Sequence, residues 1–347
     1  MGNVYTVLLN LNTMNKKTIL NIESVYTANA FTVGSKTYIA AGSETKPSVQ
    51  MHDMATGETS DVDGCPGGVM SFVPVPGAPD TFYSIMGLFP PFVGLEAGVF
   101  RHRITADGWN TERVMHLPFA HRCDILSVNG KNYLFAASAS KHKENPLDWS
   151  QAGETYVMEL DENGDPSAPE LVFGNLTRNH GMLKYNLNGT ETIMVSGAEG
   201  IFALDKTEEG WKERMVFDKE VSEFGFIDLD KDGADELVTI EPFHGNTINV
   251  YRQEEGKWTL KFTDSLSFGH GLSCGMLNGE PVFVVGNRRG SLTLDMFTVT
   301  DLEKGEIVRN VIEEEAGPTQ TLVFNFNGCD YILSANQLKN EVAIYWK

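Results

Sequence analysis

Three of the eight histidines recur at one position of an internal repeat. His121, His180 and His270 each lie eight residues before an Asn-Gly pair, in the segments HRCDILSVNG, HGMLKYNLNG and HGLSCGMLNG. Equivalent positions of a repeat occupy equivalent places in the structure, and in a closed ring they converge on its axis. Converging imidazoles bind divalent transition metals such as Zn²⁺ or Mn²⁺ and leave positions for substrate oxygens. The spacing therefore predicts a metal site made by these three residues.

Two further segments carry groups suited to acid/base chemistry. Glu241 and His244 lie in EPFHGN, and Arg288 and Arg289 lie in GNRRGS. A metal would acidify a C–H bond next to a carbonyl and so permit β-elimination. Alternatively, a histidine acts as general base while an arginine stabilises the developing oxyanion. These four residues are the catalytic candidates.

Substrate-binding candidates come from polar residues near the inner strands and from the apolar loop GLFPPFVGLEAG. They are Arg122, Arg178, Glu223, Gln320, Phe89 and Phe92. Together they predict a concave polar pocket with one aromatic wall, which suits a sugar.

The repeat itself indicates the fold. Its phase falls at Val25, Gly68, His121, His180, Phe224, His270 and Thr319, with spacings of 43, 53, 59, 44, 46 and 49 residues. Periods of this size are typical of propeller blades, and the Asn-Gly pairs are hairpin turns between short apolar runs. We therefore predict an all-β, seven-bladed propeller of four-stranded antiparallel blades, as one domain over residues 1–347. Six or eight blades and a β-sandwich are the alternatives.

Closure of the ring needs a strand from the N-terminal region. The last repeat ends at Lys347 after its third strand, so Lys17–Glu23 is expected to supply the fourth. The segment Val4–Asn10 is a candidate for an extra outer strand.

The fifth repeat contains an acidic loop, DLDKDGADE, at residues 228–236. Asp228, Asp230, Asp232 and Glu236 present alternating carboxylates around a glycine turn, a pattern typical of Ca²⁺ loops. The surrounding motif GFIDLDKDGADELV is similar to the DxDxDGxxD-type loops of the VCBS/FG-GAP family of propeller repeats. This resemblance implies the propeller fold and a structural calcium in this blade alone, whereas the alternative is a simple hairpin turn.

The His-Gly segments carry a second resemblance. NHGMLKYNLNG and GHGLSCGMLNG resemble the blade starts of the propeller domain in aldos-2-ulose dehydratase and related VCBS-type sugar proteins. That resemblance implies metal-assisted elimination of water from a keto-sugar.

Composition excludes some partners. The net charge is −20, so nucleic acid and anionic membrane surfaces would be repelled. No apolar stretch is long enough to span a bilayer, and the N-terminus lacks the pattern of a signal peptide, so a cytoplasmic location is expected. Nothing in the sequence indicates the oligomeric state.

The predicted function is a metal-assisted lyase or dehydratase acting on a keto-sugar or uronate-like carbohydrate. The alternative is a non-catalytic propeller that binds carbohydrate or protein. Because the loops differ from blade to blade, one asymmetric site is expected, and this favours the enzyme.

Overall fold

The protein is a ring of small β-sheets. The computed structural model describes residues 14–187 and 189–347, so Val4–Asn10 lies outside the described residues. Within these ranges the chain forms seven four-stranded antiparallel sheets and one 3₁₀ turn, Gln337–Lys339. The prediction of a seven-bladed β-propeller is confirmed. No helix in the described ranges is long and apolar enough to cross a membrane.

Each blade is built from consecutive strands, with one exception in the seventh. Blade 1 contains β2 (Val25–Val33), β3 (Lys36–Ser43), β4 (Val49–Asp53) and β5 (Thr59–Asp61). Blade 2 contains β6 (Ser71–Pro74), β7 (Thr81–Met86), β8 (Gly98–Thr105) and β9 (Gly108–His116). Blade 3 contains β10 (Ala120–Val128), β11 (Lys131–Ser138), β12 (Gly153–Leu160) and β13 (Glu170–Leu176). Blade 4 contains β14 (Gly181–Leu187), β15 (Thr190–Gly197), β16 (Gly200–Thr207) and β17 (Gly210–Phe217).

The remaining blades follow the same order. Blade 5 contains β18 (Glu223–Ile227), β19 (Glu236–Glu241), β20 (Thr247–Glu254) and β21 (Lys257–Ser265). Blade 6 contains β22 (Gly269–Leu277), β23 (Glu280–Asn287), β24 (Leu294–Asp301) and β25 (Glu306–Glu313). Blade 7 contains β26 (Pro318–Phe326), β27 (Cys329–Asn336), β28 (Glu341–Trp346) and the N-terminal β1 (Asn15–Asn21).

Hairpin turns set the boundaries of the inner strands. Asn129-Gly130 and Asn278-Gly279 both have positive φ at each residue, at 52° and 77° and at 53° and 81°. Asparagine and glycine tolerate that conformation, which matches the right-handed twist of the flanking strands. These two turns therefore fix the register of β10 against β11 and of β22 against β23.

The core lies between neighbouring blades. Every residue of β7 is buried, as expected for a second strand covered on both faces. Outer strands such as β21 are mostly exposed or half-buried. The ring therefore buries its middle strands and leaves its loops on two open faces.

The loops between second and third strands lie over the starts of the inner strands. His244 donates its backbone N–H to Ser222 Oγ at 3.1 Å, and Arg288 donates its backbone N–H to the Phe268 carbonyl at 3.1 Å. Side chains from both sets of positions therefore meet on one face of the ring.

The N-terminal strand closes the ring, as predicted. β1 pairs antiparallel with β28, and Lys16 and Thr18 donate to the Glu341 carboxylate at 2.6 and 2.8 Å. Leu20 is only 3% exposed and packs in a core shared by blades 7 and 1. Closure thus combines strand pairing with burial of apolar side chains.

We expect Leu20→Ala to lower the free energy of unfolding by about 2–5 kcal/mol, because it removes buried methyl groups and leaves a cavity. Leu260 lies in the outer strand β21 and is 48% exposed, so Leu260→Ala is the matched control, with an expected change below about 0.5 kcal/mol. Urea denaturation of both variants measures the difference. Equal stabilities would contradict a closing role for β1.

Candidate active site at the centre of the ring

Seven equivalent positions surround the ring axis at the start of the inner strands. In blades 1, 3, 6 and 7 the position is a β-bulge, one extra residue between two paired neighbours of the inner strand. In blades 2, 4 and 5 it is the residue just before the first pair. These residues are Tyr26, Met70, His121, His180, Ser222, His270 and Thr319. A bulge re-aims a side chain, so four of the seven are turned from the ordinary alternation of the strand.

The structure corrects the predicted phase in three blades. In blade 1 the turn lies at Gly34-Ser35, because Val33 pairs with Lys36, and the axial residue is Tyr26 rather than Val25. The acidic loop lengthens the turn of blade 5, so its axial residue is Ser222 rather than Phe224. In blade 2 the corresponding residue is Met70, two positions after Gly68.

Tyr26 lies at the centre of a histidine cluster. Its hydroxyl is 3.1 Å from His270 Nε2 and 3.3 Å from His121 Nε2. His244, from the loop after β19, brings its Nε2 to 3.2 Å from His180 Nε2. Sequence reasoning missed Tyr26, although reading the first turn one residue later would have placed it in phase with the histidines.

Neighbouring blades fix the orientation of two imidazoles. His180 Nδ1 faces the Ser222 carbonyl at 3.3 Å and the Glu223 carboxylate at 2.8 Å. His270 Nδ1 lies 2.6 Å from the Thr319 carbonyl. Because carbonyl and carboxylate oxygens only accept, both Nδ1 atoms carry the proton. Each Nε2 therefore presents a lone pair to the centre, as in metal-binding histidines held by an outer carbonyl.

The cluster fits a divalent transition metal. Nitrogen atoms of His180, His244 and His270 all lie within 4.8 Å of one another. Nitrogens bound tetrahedrally to one Zn²⁺ are roughly 3.3 Å apart, close to the 3.2 Å between His180 and His244. His121, which the sequence analysis assigned to the metal, is not a member of this group. His244 supplies the third imidazole instead. His121 instead contacts Tyr26, and its buried Nδ1 has no hydrogen-bond partner among the described residues.

Burial keeps these imidazoles neutral, the form that binds metals. Burial is the main cause that lowers the pKa of His121, His180, His244 and His270, and neighbouring histidines and arginines add to it. For His180 the Glu223 carboxylate acts in the opposite direction. Burial also raises the pKa of Tyr26, so its hydroxyl stays protonated.

A buried ion pair supports the cluster from below. Arg122 donates to Glu223 at 2.5 Å and to the carbonyls of His180 and Met70, each at 3.2 Å. Burial opposes the charge of Glu223, but Arg122 and His180 hold the pKa of that carboxyl below its usual value. Glu223 therefore stays ionised and positions His180.

A pocket of about 320 Å³ opens above the cluster. Tyr26, His121 and His244 reach it, whereas His180 and His270 are fully buried behind them. The wall is aromatic: Phe92 packs edge-on against Trp149 at 5.0 Å, and Trp149 packs likewise against Phe243 at 5.2 Å. Phe89, Phe268 and several prolines and leucines also line the pocket. Trp149 and Phe243 were not predicted, although Phe243 directly precedes His244.

Two arginines lie at the pocket mouth, and they differ in whether an acidic residue pairs with them. Arg288 pairs with Glu44 at 2.7 and 2.9 Å and donates to Gln337 at 3.1 Å, so its charge is balanced. Arg289 is exposed and lies over the Phe268 ring at 4.7 Å. Arg289 makes no ion pair with any residue in the described ranges.

The other predicted site residues lie elsewhere. Arg122, Glu223 and Gln320 line a second cavity of about 630 Å³ along the ring axis, which shares no lining residue with the pocket. Glu241 accepts hydrogen bonds from Tyr251 at 3.0 Å and Thr239 at 2.5 Å and does not line the pocket. Arg178 pairs with Glu220 at 2.6 Å and lies behind the aromatic wall, near Trp149 and Phe243.

The carboxylates of the acidic loop of blade 5 pair with an arginine of the same blade. Asp228, Asp230 and Glu236 bring carboxylate oxygens within 4.8 Å of one another. The Arg252 guanidinium contacts Asp230, lies 2.9 Å from Glu236 and 3.7 Å from Asp232. A guanidinium therefore already neutralises carboxylates that the sequence assigned to calcium.

Comparisons with known proteins support the fold. No protein-family model and no curated protein matches the chain. The β-propeller domain of Cps50 (Swd1) from Myceliophteria thermophila is similar, with a TM-score of 0.61 at 9% identity over 96% of this chain and 99% of that chain. A chain of a mitotic checkpoint complex gives 0.60 at 10% identity, over 96% and 94%. A glucose dehydrogenase gives 0.51 at 13% identity, over 95% and 98%.

These likenesses define the class as a seven-bladed β-propeller and carry no information on activity. The comparisons add no support to the resemblances to VCBS/FG-GAP repeats and to the aldos-2-ulose dehydratase propeller. The calcium loop and the keto-sugar chemistry that they imply therefore stay predictions.

We expect Arg252→Gln to lower the free energy of unfolding by roughly 3–5 kcal/mol, because the fully buried Glu236 loses its cationic partner and keeps only the hydrogen bond from the Leu229 backbone N–H. Arg214 is half-exposed and pairs with Asp205 on the surface, so Arg214→Gln is the control, with an expected loss of about 0–1 kcal/mol. Millimolar calcium should raise the melting temperature of Arg252→Gln more than that of the wild type. An equal calcium response would show that the loop does not take a cation when Arg252 is absent.

Proposed function

We propose that this propeller is a metal-dependent carbohydrate lyase, which cleaves a carbon–oxygen bond by β-elimination. The observation that carries the proposal is the group of three neutral histidines at the inner end of a pocket with an aromatic wall, where His244 lines the pocket and His180 and His270 are buried directly behind it. A metal held by such a group of histidines suits reactions in which a C–H bond next to a carbonyl or carboxylate must lose its proton.

His180, His244 and His270 would hold the metal. When bound, the metal supplies Lewis-acid stabilisation of negative charge that develops on a substrate carbonyl or carboxylate oxygen. Glu223 and the Ser222 and Thr319 carbonyls keep His180 and His270 in the tautomer that this role requires.

Tyr26 and His121 are the acid/base pair in this proposal. Both reach the pocket, and their polar atoms lie 3.3 Å apart. One group removes the proton next to the carboxylate or carbonyl while a carbon–carbon double bond forms. The C–O bond on the neighbouring carbon breaks, and its oxygen leaves with a proton from the other group.

We expect about one equivalent of transition metal in protein purified without a tag or chelator, as three histidine ligands predict. His244→Gln should reduce this content to near zero after dialysis, whereas His121→Gln should retain it. Elemental mass spectrometry measures the content, and exposed His116→Gln is the control outside the site. Metal retained by His244→Gln in a folded protein would overturn the assigned ligand set.

Tyr26→Phe should lower kcat for elimination by about 10²–10⁴-fold, the usual share of a general acid or base. Metal content and substrate affinity should change little. Tyr83→Phe is the matched control, because it also removes a buried hydroxyl group. Tyr83 donates a hydrogen bond to the Gly164 carbonyl at 2.6 Å, away from the pocket. The ultraviolet absorbance of the new conjugated double bond reports the rate. An unchanged kcat in Tyr26→Phe would remove Tyr26 from the chemistry.

The second candidate is a propeller that binds a ligand without chemistry. The observation that favours it is the hydrogen bonding within the cluster, where Tyr26 and His244 already contact the other histidines. This candidate expects ligand binding that is unaffected by chelation, with no unsaturated product from keto-sugars or uronates. A metal-dependent product would exclude it.

A further inference from the structure

The pocket mouth differs in charge from the rest of the molecule. The chain carries a net charge of −20, yet Arg288 and Arg289 line this mouth, and two further cations, Arg178 and Lys143, lie against the aromatic wall. Three carboxylates oppose these cations: Glu220 pairs with Arg178, Glu44 pairs with Arg288, and the Asp148 carboxylate acts on Lys143. One positive charge, that of Arg289, is therefore left without a carboxylate partner among the described residues at the entrance of a strongly acidic protein.

Lys143 lies against the aromatic wall, and its own contacts hold it in place. Its ammonium lies 3.2 Å from the centroid of the Trp149 ring and 5.2 Å from that of Phe92, and it donates to the Asp148 carbonyl. Burial lowers its pKa to about 8, so most of its charge is still present at neutral pH. Because Asp148 offsets this charge, the contribution of Lys143 is to hold the aromatic wall in place through its contacts with Trp149 and Phe92.

Arg289 has its hydrogen-bonding groups available. Its guanidinium lies against Phe268, which leaves its N–H donors unbonded to any residue in the described ranges. Cation–π contact over the ring face restricts the side chain to the mouth of the pocket. A planar guanidinium with free donors matches a carboxylate, which it binds through two parallel hydrogen bonds.

We propose that the pocket takes an acidic saccharide of the uronate class, with a substrate carboxylate paired to Arg289 and a sugar face against the aromatic wall. The assignment deepens the proposed lyase function, on which it rests for the reaction, and selects uronates over neutral keto-sugars. Uronates also suit the chemistry, since their carboxylate stands next to the C–H bond that elimination must break.

The mouth favours a carboxylate over a phosphate ester. Only one guanidinium at the pocket lining, Arg289, is without an acidic partner in the described ranges, whereas a phosphate dianion carries up to twice the charge. The remaining surface is acidic and repels a dianion more strongly than a monoanion.

The test compares one ligand with and without its charge. Isothermal titration with trigalacturonate and with its fully methyl-esterified form keeps shape and aromatic contacts nearly constant. We expect the acid to bind at least about tenfold more tightly than the ester, as one charge-assisted contact provides. Arg289→Gln should remove this preference, and Arg289→Lys should keep part of it. Arg214→Gln, which changes an equal charge on the outer surface, should leave it unchanged.

Equal binding of acid and ester, or an unchanged preference in Arg289→Gln, would overturn the assignment. Tighter binding of a hexose phosphate than of trigalacturonate would overturn it as well. Failure of the lyase proposal looks different: the Arg289-dependent preference persists, but no unsaturated product forms with or without added metal. Conversely, metal-dependent elimination from a neutral keto-sugar, without preference for the acid, would support the lyase and reject the uronate.

Discussion

The closed ring is the constraint on which the central site depends. Tyr26 begins the first blade, only five residues after the strand that completes the seventh. Pairing of β1 with β28 therefore brings the start of the chain beside blades 3 and 6, whose histidines contact the Tyr26 hydroxyl. No local segment of the sequence could assemble these groups, because they are separated by 95 and 244 positions.

Contacts between adjacent blades then determine what the side chains can do. The carbonyl of Ser222 from blade 5 orients His180 of blade 4, and that of Thr319 from blade 7 orients His270 of blade 6. Each backbone oxygen fixes a proton on Nδ1 and so frees Nε2. The architecture of the ring thereby sets the chemical state of its central histidines, and burial maintains it by opposing their protonation.

The sequence predicts the ring and its histidines well, because Asn-Gly turns mark a repeat whose period is directly readable. The prediction of the axial residue fails in blades whose first turn differs from Asn-Gly. The first turn, Gly34-Ser35, hides Tyr26 by a shift of one residue, and the long acidic turn of blade 5 displaces Ser222 by two. His244 and Trp149 come from loops without a repeat, so their place in the pocket depends on packing between blades. The partner of the acidic loop, Arg252, lies on the next strand but one, where no calcium motif would reveal it.

The layer formed by Tyr26 and the buried histidines also separates the pocket from the axial cavity. The pocket above it and the axial cavity below it have separate linings, and His180 and His270 are fully buried between them. The pocket and the axial cavity are therefore not joined into one channel. In the proposed lyase, a saccharide would therefore enter and leave through the same opening, because Tyr26 and the buried histidines close the pocket at its inner end.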